Sequence, residues 1–430
     1  MDTKKLVAIA IVVIIIVAAS AAVLMTGSDD DKDRNVDASN YGLVYGNANG
    51  DCMIDQDDLD LVSKCIEDPA LMEKYPLADA NNDGMVTQED YDLVQKMINK
   101  DSMTVKVIDC DGNIVDSNYP LKKVFIQGGT NTRVIVTALN LVENMVANTT
   151  NESSLSNILD KELVDARNSG KVLVLSSDAT SDDQTKLSAI DFDAAILDDS
   201  GMTQGYGSEA FRSLYAVKGA SCLNFNYDNP IASLQTIAIL GILIGHEDLA
   251  SKYVEYQEGI INKIKEKEGD LYGTTTVMTV VMTNSVSGTD KDYYAASQIA
   301  GGKNLADFEG NKKFPDGSDN TWLLDPKYNP DFIIHTSSVT FGKDVAAKTK
   351  SAISTNFCET AAFKAGDYYV INGVLPMPVR LAITAEILYE GCFEDGWSNS
   401  VFQQYVDDYM GGQFQVSDYK YVWDTEDLSA

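Results

Sequence analysis

The chain has 430 residues, enough for two or three domains, and its 65 acidic against 33 basic residues give a net charge of −32. That excess excludes a nucleic-acid binder, which must meet phosphates with a basic face, and a polybasic membrane-surface protein. With 44% hydrophobic residues the chain can bury one or more sizeable cores, which excludes disorder throughout.

The first element covers residues 6–25, a run without charge that spans about 30 Å as a helix, the thickness of a bilayer core. Lys4 and Lys5 precede it and Asp29, Asp30 and Asp31 follow it, so the positive-inside rule exports everything after the run. The expectation is a transmembrane signal anchor over residues 1–27. The protein is then single-pass in the cell membrane, with extracellular C-terminal domains. Ala19-Ser20-Ala21 leaves a cleaved signal peptide as the alternative. Residues 28–40 are short, polar and charged, an acidic linker. The six cysteines show no CxxC and no His-paired spacing, against a zinc or redox motif, and Cys358 with Cys392 is the first pair to test for a disulfide. Asn148 and Asn151 each open an N-x-[ST] sequon.

An internal repeat follows, offset by 32 residues. Its second copy places oxygen-bearing side chains at loop positions 1, 3, 5, 9 and 12 (Asp79, Asn81, Asp83, Thr87, Asp90), the backbone carbonyl of Met85 at position 7 and Gly84 at the sharp turn. This is the ligand spacing of an EF-hand calcium loop, with Asp in place of Glu at position 12. Hard oxygen donors suit Ca²⁺, and crowded carboxylates repel one another until a cation neutralises them. The first copy aligns throughout as Asn47, Asn49, Asp51, Met53, Asp55 and Asp58. It has Asn at position 1 and Cys52 in place of the glycine, which predicts a strained turn and weaker binding. Two Ca²⁺ sites are expected, the second stronger. Leu59, Val62, Ile66 and Tyr91, Val94, Ile98 then mark one short amphipathic helix behind each loop.

One loop and one trailing helix, twice, over residues 41–102, resembles a type I dockerin domain. The resemblance implies a cohesin-like protein partner. It also implies that loop positions 10 and 11 (Gln56, Asp57, Gln88 and Glu89) help face that partner.

From Met103 onward, short apolar runs at 124–127, 171–175, 194–197, 223–226, 275–282, 332–335 and 368–371 alternate with helical patterns, notably 134–146 and 379–389. Such alternation predicts α/β structure with parallel sheets. A nearly uninterrupted helical pattern at 231–267, broken only by Gly241 and Gly245, divides the region into halves of similar size.

Two α/β lobes joined by one long helix resemble the substrate-binding proteins of iron-chelate and cobalamin ABC importers. Five segments carry this resemblance: the opening hairpin 104–115 with its Asp-x-x-Gly, the first lobe strand 122–127, the strand at 222–227 leading to 240–245, the Ala300-Gly301-Gly302-Lys303-Asn304 stretch, and Asn329-Pro330-Asp331 before a strand. The resemblance implies a two-lobed periplasmic-binding-protein-like fold over 103–430. The N-lobe occupies about 103–229, the bridging helix about 230–267 and the C-lobe about 268–430. It further implies an ABC permease as partner and an iron chelate, haem or corrinoid held between the lobes.

Cleft candidates lie where strands end, as in open α/β sheets generally. Thr130, Asn131 and Arg133 lie in or just after the glycine-rich turn behind the first strand, a helix start that suits an anion or is an ordinary turn. Arg380 opens a later helix; it either binds a carboxylate-bearing chelate or makes a surface ion pair. Asp198 and Ser200 leave one strand, and Asn284 and Ser285 leave another. Tyr293, Tyr294 and Trp322 offer rings to a macrocycle or aryl chelator, or pack in the core. His335 either bonds a ligand or is satisfied at a strand end, and His246 has a surface reading. The sequence has no G-x-S-x-G, Walker A or G-x-G-x-x-G constellation, so no enzyme is expected. The alternative to import is a calcium-dependent surface scaffold or adhesion protein.

Overall fold

The computed structural model describes residues 41–129, 131–152, 155–198, 204–227, 229–268, 275–281, 285–286, 292–304, 330–337, 341–342 and 357–429. The expected anchor at 1–27 and linker at 28–40 lie outside these residues. Among the described residues no helix is long and apolar enough to cross a membrane.

The chain opens with two loop–helix units. The loop before α1 (Gln56–Glu67) is closed by a reciprocal capping box between Asp55 and Asp58, and the loop before α2 (Gln88–Ile98) by one between Thr87 and Asp90. Loop positions 9 and 12 are therefore the N-cap and N3 residues of the trailing helix. A hairpin follows, β1 (Met103–Ile108) with β2 (Ile114–Tyr119), matching the predicted one.

The first lobe has β3 (Val124–Ile126), α3 (Thr132–Ala138), β4 (Met145–Asn148), α4 (Lys161–Asn168), β5 (Leu173–Val174), α5 (Ser181–Ser188), β6 (Ala194–Asp198), α6 (Glu209–Lys218) and β7 (Ser221–Phe225). Its sheet is parallel, in the order β5-β4-β3-β6-β7. The pattern at 134–146 is not one helix. It divides into α3, a 3-10 turn at Leu141–Glu143 and β4, with Asn140 in the left-handed region between them. A short, mostly apolar stretch does not by its periodicity distinguish helix from strand.

Next come α7 (Pro230–Ile244) and α8 (Glu247–Glu268). The predicted single bridging helix is thus two, because Gly245 adopts φ +85 and closes α7 as its C-cap. Gly241 is no break; it lies inside α7, where an added Cβ would stand 2.4 Å from the Ala250 Cβ of α8.

The second lobe contains β8 (Thr276–Val281), β9 (Ser285–Val286), α9 (Asp292–Ile299), β10 (Lys303–Asn304), β11 (Phe332–Ser337), α10 (Ala361–Ala365), β12 (Tyr368–Asn372), α11 (Met377–Leu388), α12 (Trp397–Tyr409), β13 (Val422–Trp423) and α13 (Thr425–Ser429). Its sheet runs β10-β8-β11-β12-β13, parallel except for β13, with β9 antiparallel to β8.

A single apolar core runs from Tyr41 to Tyr421 and includes Val62, Val94, Val107, Leu240, Ile261 and Leu381. A smaller one, around Phe125, Leu187, Phe192 and Tyr215, lies on the other face of the first sheet. The loop–helix units therefore share a core with the lobes. Glycine chemistry gives a test. Gly241→Ala should destabilise the protein by about 1–3 kcal/mol through overpacking at the α7–α8 contact. Gly259→Ala in α8, where an added Cβ meets nothing within 4 Å, should stabilise it by about 0.5–1 kcal/mol. Denaturant melts of the two variants check the pair.

Candidate functional site

Both sheets contain a point where successive connections depart in opposite directions, and open α/β sheets bind ligands at such points. In the first sheet it lies between β3 and β6, in the second between β8 and β11. The sequence-predicted residues Asn131 and Asp198 stand at the carboxyl edge of the first sheet, and Ser285 begins β9, where its backbone pairs with Val281 at the carboxyl end of β8. Thr130, Ser200, Asn284 and Trp322 lie outside the described residues, and for Ser285 and Tyr293 only the backbone is described.

The loop behind β3 is braced by polar groups at the end of β4 and just after it. Gly128 N donates to Thr149 Oγ1 at 3.0 Å, Thr150 Oγ1 donates to Gly128 O at 3.2 Å, and Asn148 Nδ2 donates to Ile126 O at 3.1 Å. Asn148, expected as a glycosylation acceptor, is 1% exposed; an oligosaccharide transferase cannot reach it in the folded chain. An added Cβ at Gly128 would stand 1.9 Å from Thr132 Oγ1, so only glycine fits this turn.

The arginines depart from both readings given to them. Arg133 turns into the protein and pairs with Asp160 at 2.6 Å, with both side chains about 5% exposed or less. Asp160 also accepts Ser156 N at 2.7 Å. Arg380 is fully buried, donating through Nε to Leu375 O at 2.6 Å and through Nη2 to Gly373 O at 2.8 Å. The two guanidinium groups are close enough for Arg380 to lower the pKa of Arg133, although burial is the larger cause. Nothing in the local sequence marks Asp160 as the partner, because it is 27 residues from Arg133.

Segment 155–160 of the first lobe reaches the second, where Ser156 Oγ donates to Phe341 O at 3.4 Å. Beside Arg133 and Asp160, against Tyr409 and Met410, a cavity of about 20 Å³ remains, room for about one water. His335 lies inside β11, not at its end; it is buried, with Nδ1 2.7 Å from Tyr368 Oη. Tyr294 is also buried, accepting a bond from Gln298 Nε2 at 3.0 Å. Tyr294 is thus packed inside the protein and His335 is hydrogen-bonded within it. Among the described residues the cysteines form no disulfide, so Cys358 and Cys392, the first pair to test, are not joined.

The two loops repeat their internal bonds almost atom for atom. Asp58 accepts from Asn49 N and Asp55 N as Asp90 does from Asn81 N and Thr87 N. Met53 N donates to Asp51 Oδ1 as Met85 N does to Asp83 Oδ1. They differ at position 6. In the second loop Gly84 takes φ +96, and the Asp83 and Gly84 amides donate to the Asp79 carboxylate at 3.0 and 2.7 Å. In the first loop Asn47 Nδ2 instead donates to Asp51 O at 2.7 Å and to Gly42 O at 2.8 Å. The peptide after position 5 is turned over, so Cys52 needs no left-handed backbone. The predicted strain is absent, and Cys52 packs in the core.

Asp58, Asp79 and Asp90 are buried. Burial pushes Asp58 up to about 7 and Asp79 up to about 6, and no basic side chain contributes to either shift. Asn47 Oδ1 is buried without a hydrogen-bond partner. Among the described residues no three His, Cys, Asp or Glu side chains form a metal site by themselves; the loop donors are spread over carboxylates, amides, Thr87 and carbonyls. Such a donor set, with uncompensated carboxylates and an orphaned amide oxygen, fits a hard divalent cation. Gln56, Asp57, Gln88 and Glu89 are all exposed, on the first turns of α1 and α2.

No protein-family model and no curated protein matches the chain. Solved structures do match in fold. The TroA-like periplasmic binding protein FepB of Veillonella parvula superposes with a TM-score of 0.55 at 14% identity, covering 71% of this chain and 95% of that one. CeuE of Helicobacter pylori with Ni(II) bound gives 0.55 at 16%, covering 73% and 99%. The molybdate-bound MolA of Haemophilus influenzae gives 0.57 at 14%, covering 74% and 99%. The fold is therefore the two-lobed α/β fold of these solved structures.

The buried ion pair gives a prediction. Asp160→Asn should cost about 3–5 kcal/mol by leaving Arg133 buried and uncompensated, and Arg133→Met combined with Asp160→Leu should recover most of that loss. Urea melts of the single and double variants measure it.

Proposed function

We propose that this protein is an extracellular, membrane-tethered solute-binding protein that captures an iron chelate, haem or corrinoid for an ABC permease. The observation that supports the reading is the pair of parallel sheets, each with a switch point, joined through α7 and α8, in a chain whose fold resembles solved binding proteins at 14% and 16% identity. The Ni(II) on CeuE and the molybdate on MolA add free metal ions and small metal oxyanions to the solutes to be tried. In this reading solute enters between the carboxyl edges of the sheets, near Asn131 and Asp198, and the lobes close on it by rotation about the α7–α8 joint. Arg133, paired with Asp160, and Arg380, bonded to backbone carbonyls, serve in this reading as buried supports of the cleft and not as its lining.

Residues 41–102 serve, in the same reading, as a calcium-dependent dockerin-like module. Asp79, Asn81, Asp83, Met85, Thr87 and Asp90 would hold one Ca²⁺. Asn47, Asn49, Asp51, Met53, Asp55 and Asp58 would hold a second, more weakly. The ion supplies charge neutralisation and loop order. The residues offer oxygen donors already aligned by the capping boxes, with Gln56, Asp57, Gln88 and Glu89 presented to a cohesin-like partner. The uncleaved anchor belongs to this proposal as well.

Two experiments test it. Melting the protein against ferric siderophores, haem, cobalamins, Ni²⁺ and molybdate should find at least one solute that stabilises it, by about 2.7 kcal/mol at a hundredfold excess over Kd. If none shifts the melt, the surface-scaffold reading takes its place. In calcium titrations followed by calorimetry, Asp79→Ala with Asp90→Ala should remove the tighter site and leave the weaker one. Unchanged binding by that variant would refute the assignment of the second loop.

A further inference from the structure

The loop–helix units are not strung on a tether; they are built into the hinge region. Residues 42–45 extend the β1–β2 hairpin through a bridge between Val44 and Val107, with Tyr45 N donating to Lys106 O at 2.9 Å and Ile108 N to Leu43 O at 3.0 Å. The side chain of Asn47, at the first position of the first loop, holds this segment by its bond to Gly42 O. A Cβ placed on Gly42 would stand 3.0 Å from Ile242 of α7 and 2.2 Å from Asn47 Nδ2, so helix, segment and loop are in contact at one point.

The second unit makes its own connections. Tyr119 Oη donates to Met97 O at 2.8 Å in the buried interior, linking the end of α2 to the hairpin. Lys100, just after α2, pairs with Glu247, the first residue of α8. At the same joint His246 Nδ1, which must carry its proton to meet a carbonyl, bonds Leu139 O of the first lobe at 2.7 Å, and Leu121 N donates to Leu243 O at 2.7 Å. A cavity of about 380 Å³ separates the joint from the first loop; Met53 and Ile54 line one side and residues 245–249 the other.

We propose that this arrangement makes the joint between the lobes a calcium-responsive element. The loop–helix units hold Gly245-His246-Glu247 from outside through Lys100 and the segment leading into the first loop, and ordering the loops with calcium suppresses opening of the joint. The inference rests on the calcium reading of the loops and adds a consequence for the solute-binding domain. A bound ion is linked to every equilibrium that disorders its site, so opening of any segment that unfolds with the loops falls by the factor 1 + [Ca²⁺]/Kd. At a hundredfold excess over Kd that factor is about 100 for one site.

The test is hydrogen–deuterium exchange of the full chain with and without Ca²⁺, alongside calorimetric measurement of calcium binding to the same sample. Amides of residues 240–250 are expected to slow by about tenfold or more with calcium, together with those of 41–102. Lys100→Met and Tyr119→Phe should each retain calcium binding but shrink the change at 240–250, and the second of these keeps the buried ring in place. Calcium binding with protection confined to 41–102 would overturn the coupling and leave the calcium sites standing. Absence of calcium binding would overturn both. Equal protection at 240–250 in wild type and both variants would show that these contacts do not carry the coupling.

Discussion

A helix with no polar face has to be covered on every side, and α7 is such a helix. All of its residues except Ala232 and Gln235 are buried. The first lobe covers it through β2 and β7, α8 packs antiparallel along it with Gly241 against Ala250, and the segment leading into the first loop closes it at Ile242. At about 25 cal/mol per Å² of apolar surface, leaving any one of these sides exposed would be a large loss for a marginally stable protein. The other elements are arranged around this requirement. Both lobes contact the α7–α8 unit, and the segment leading into the first loop reaches α7 at Ile242.

The same requirement explains why the two halves of the repeat differ. The second loop has Gly84 at its tight turn and Met85 is 55% exposed, so it faces solvent. The first loop faces α7 and α8. Its Cys52 is buried, with a thiol pushed up to about 12 by burial and by the nearby charges of Asp51, Glu258 and Glu255. A residue that buries a side chain here is more useful than a glycine, and the overturned peptide, held by Asn47, is the backbone change that allows it. Each of the two departures from the repeat pattern thus accommodates the other. Asn47 supplies the amide hydrogens that an aspartate lacks, and Cys52 supplies apolar surface that a glycine lacks.

Much of the architecture was legible along the chain. Strands at 124–126, 194–198, 332–337 and 368–372 and the helix at 377–388 fall where the apolar runs and helical pattern place them, because each is fixed by local periodicity and by breakers at its ends. The pattern at 134–146 misled, since its few exposed residues set no clear period and the left-handed Asn140 that ends the helix carries no glycine or proline signal. The cleft candidates were legible as positions and much less so as orientations. Asn131 and Asp198 follow strands, and strand order puts them at a switch point. Arg133 and Arg380, in contrast, look like surface cations until their partners are known. Asp160 and the carbonyls of Gly373 and Leu375 become partners only when α3, the 155–160 segment and the β12–α11 turn are brought together.

What the sequence determined by itself is whatever depends on neighbours a few residues apart. This includes the two calcium-type loops with their capping boxes and the alternation of strands and helices. Tertiary structure decided which of these local units are independent. The repeat is a self-contained pattern in sequence, but Val44, Tyr119 and Lys100 join it to β1, to the hairpin and to α8. Such contacts join residues far apart in the chain and leave no periodic trace. The apolar surface of α7, which tolerates no open side, is the physical reason they form.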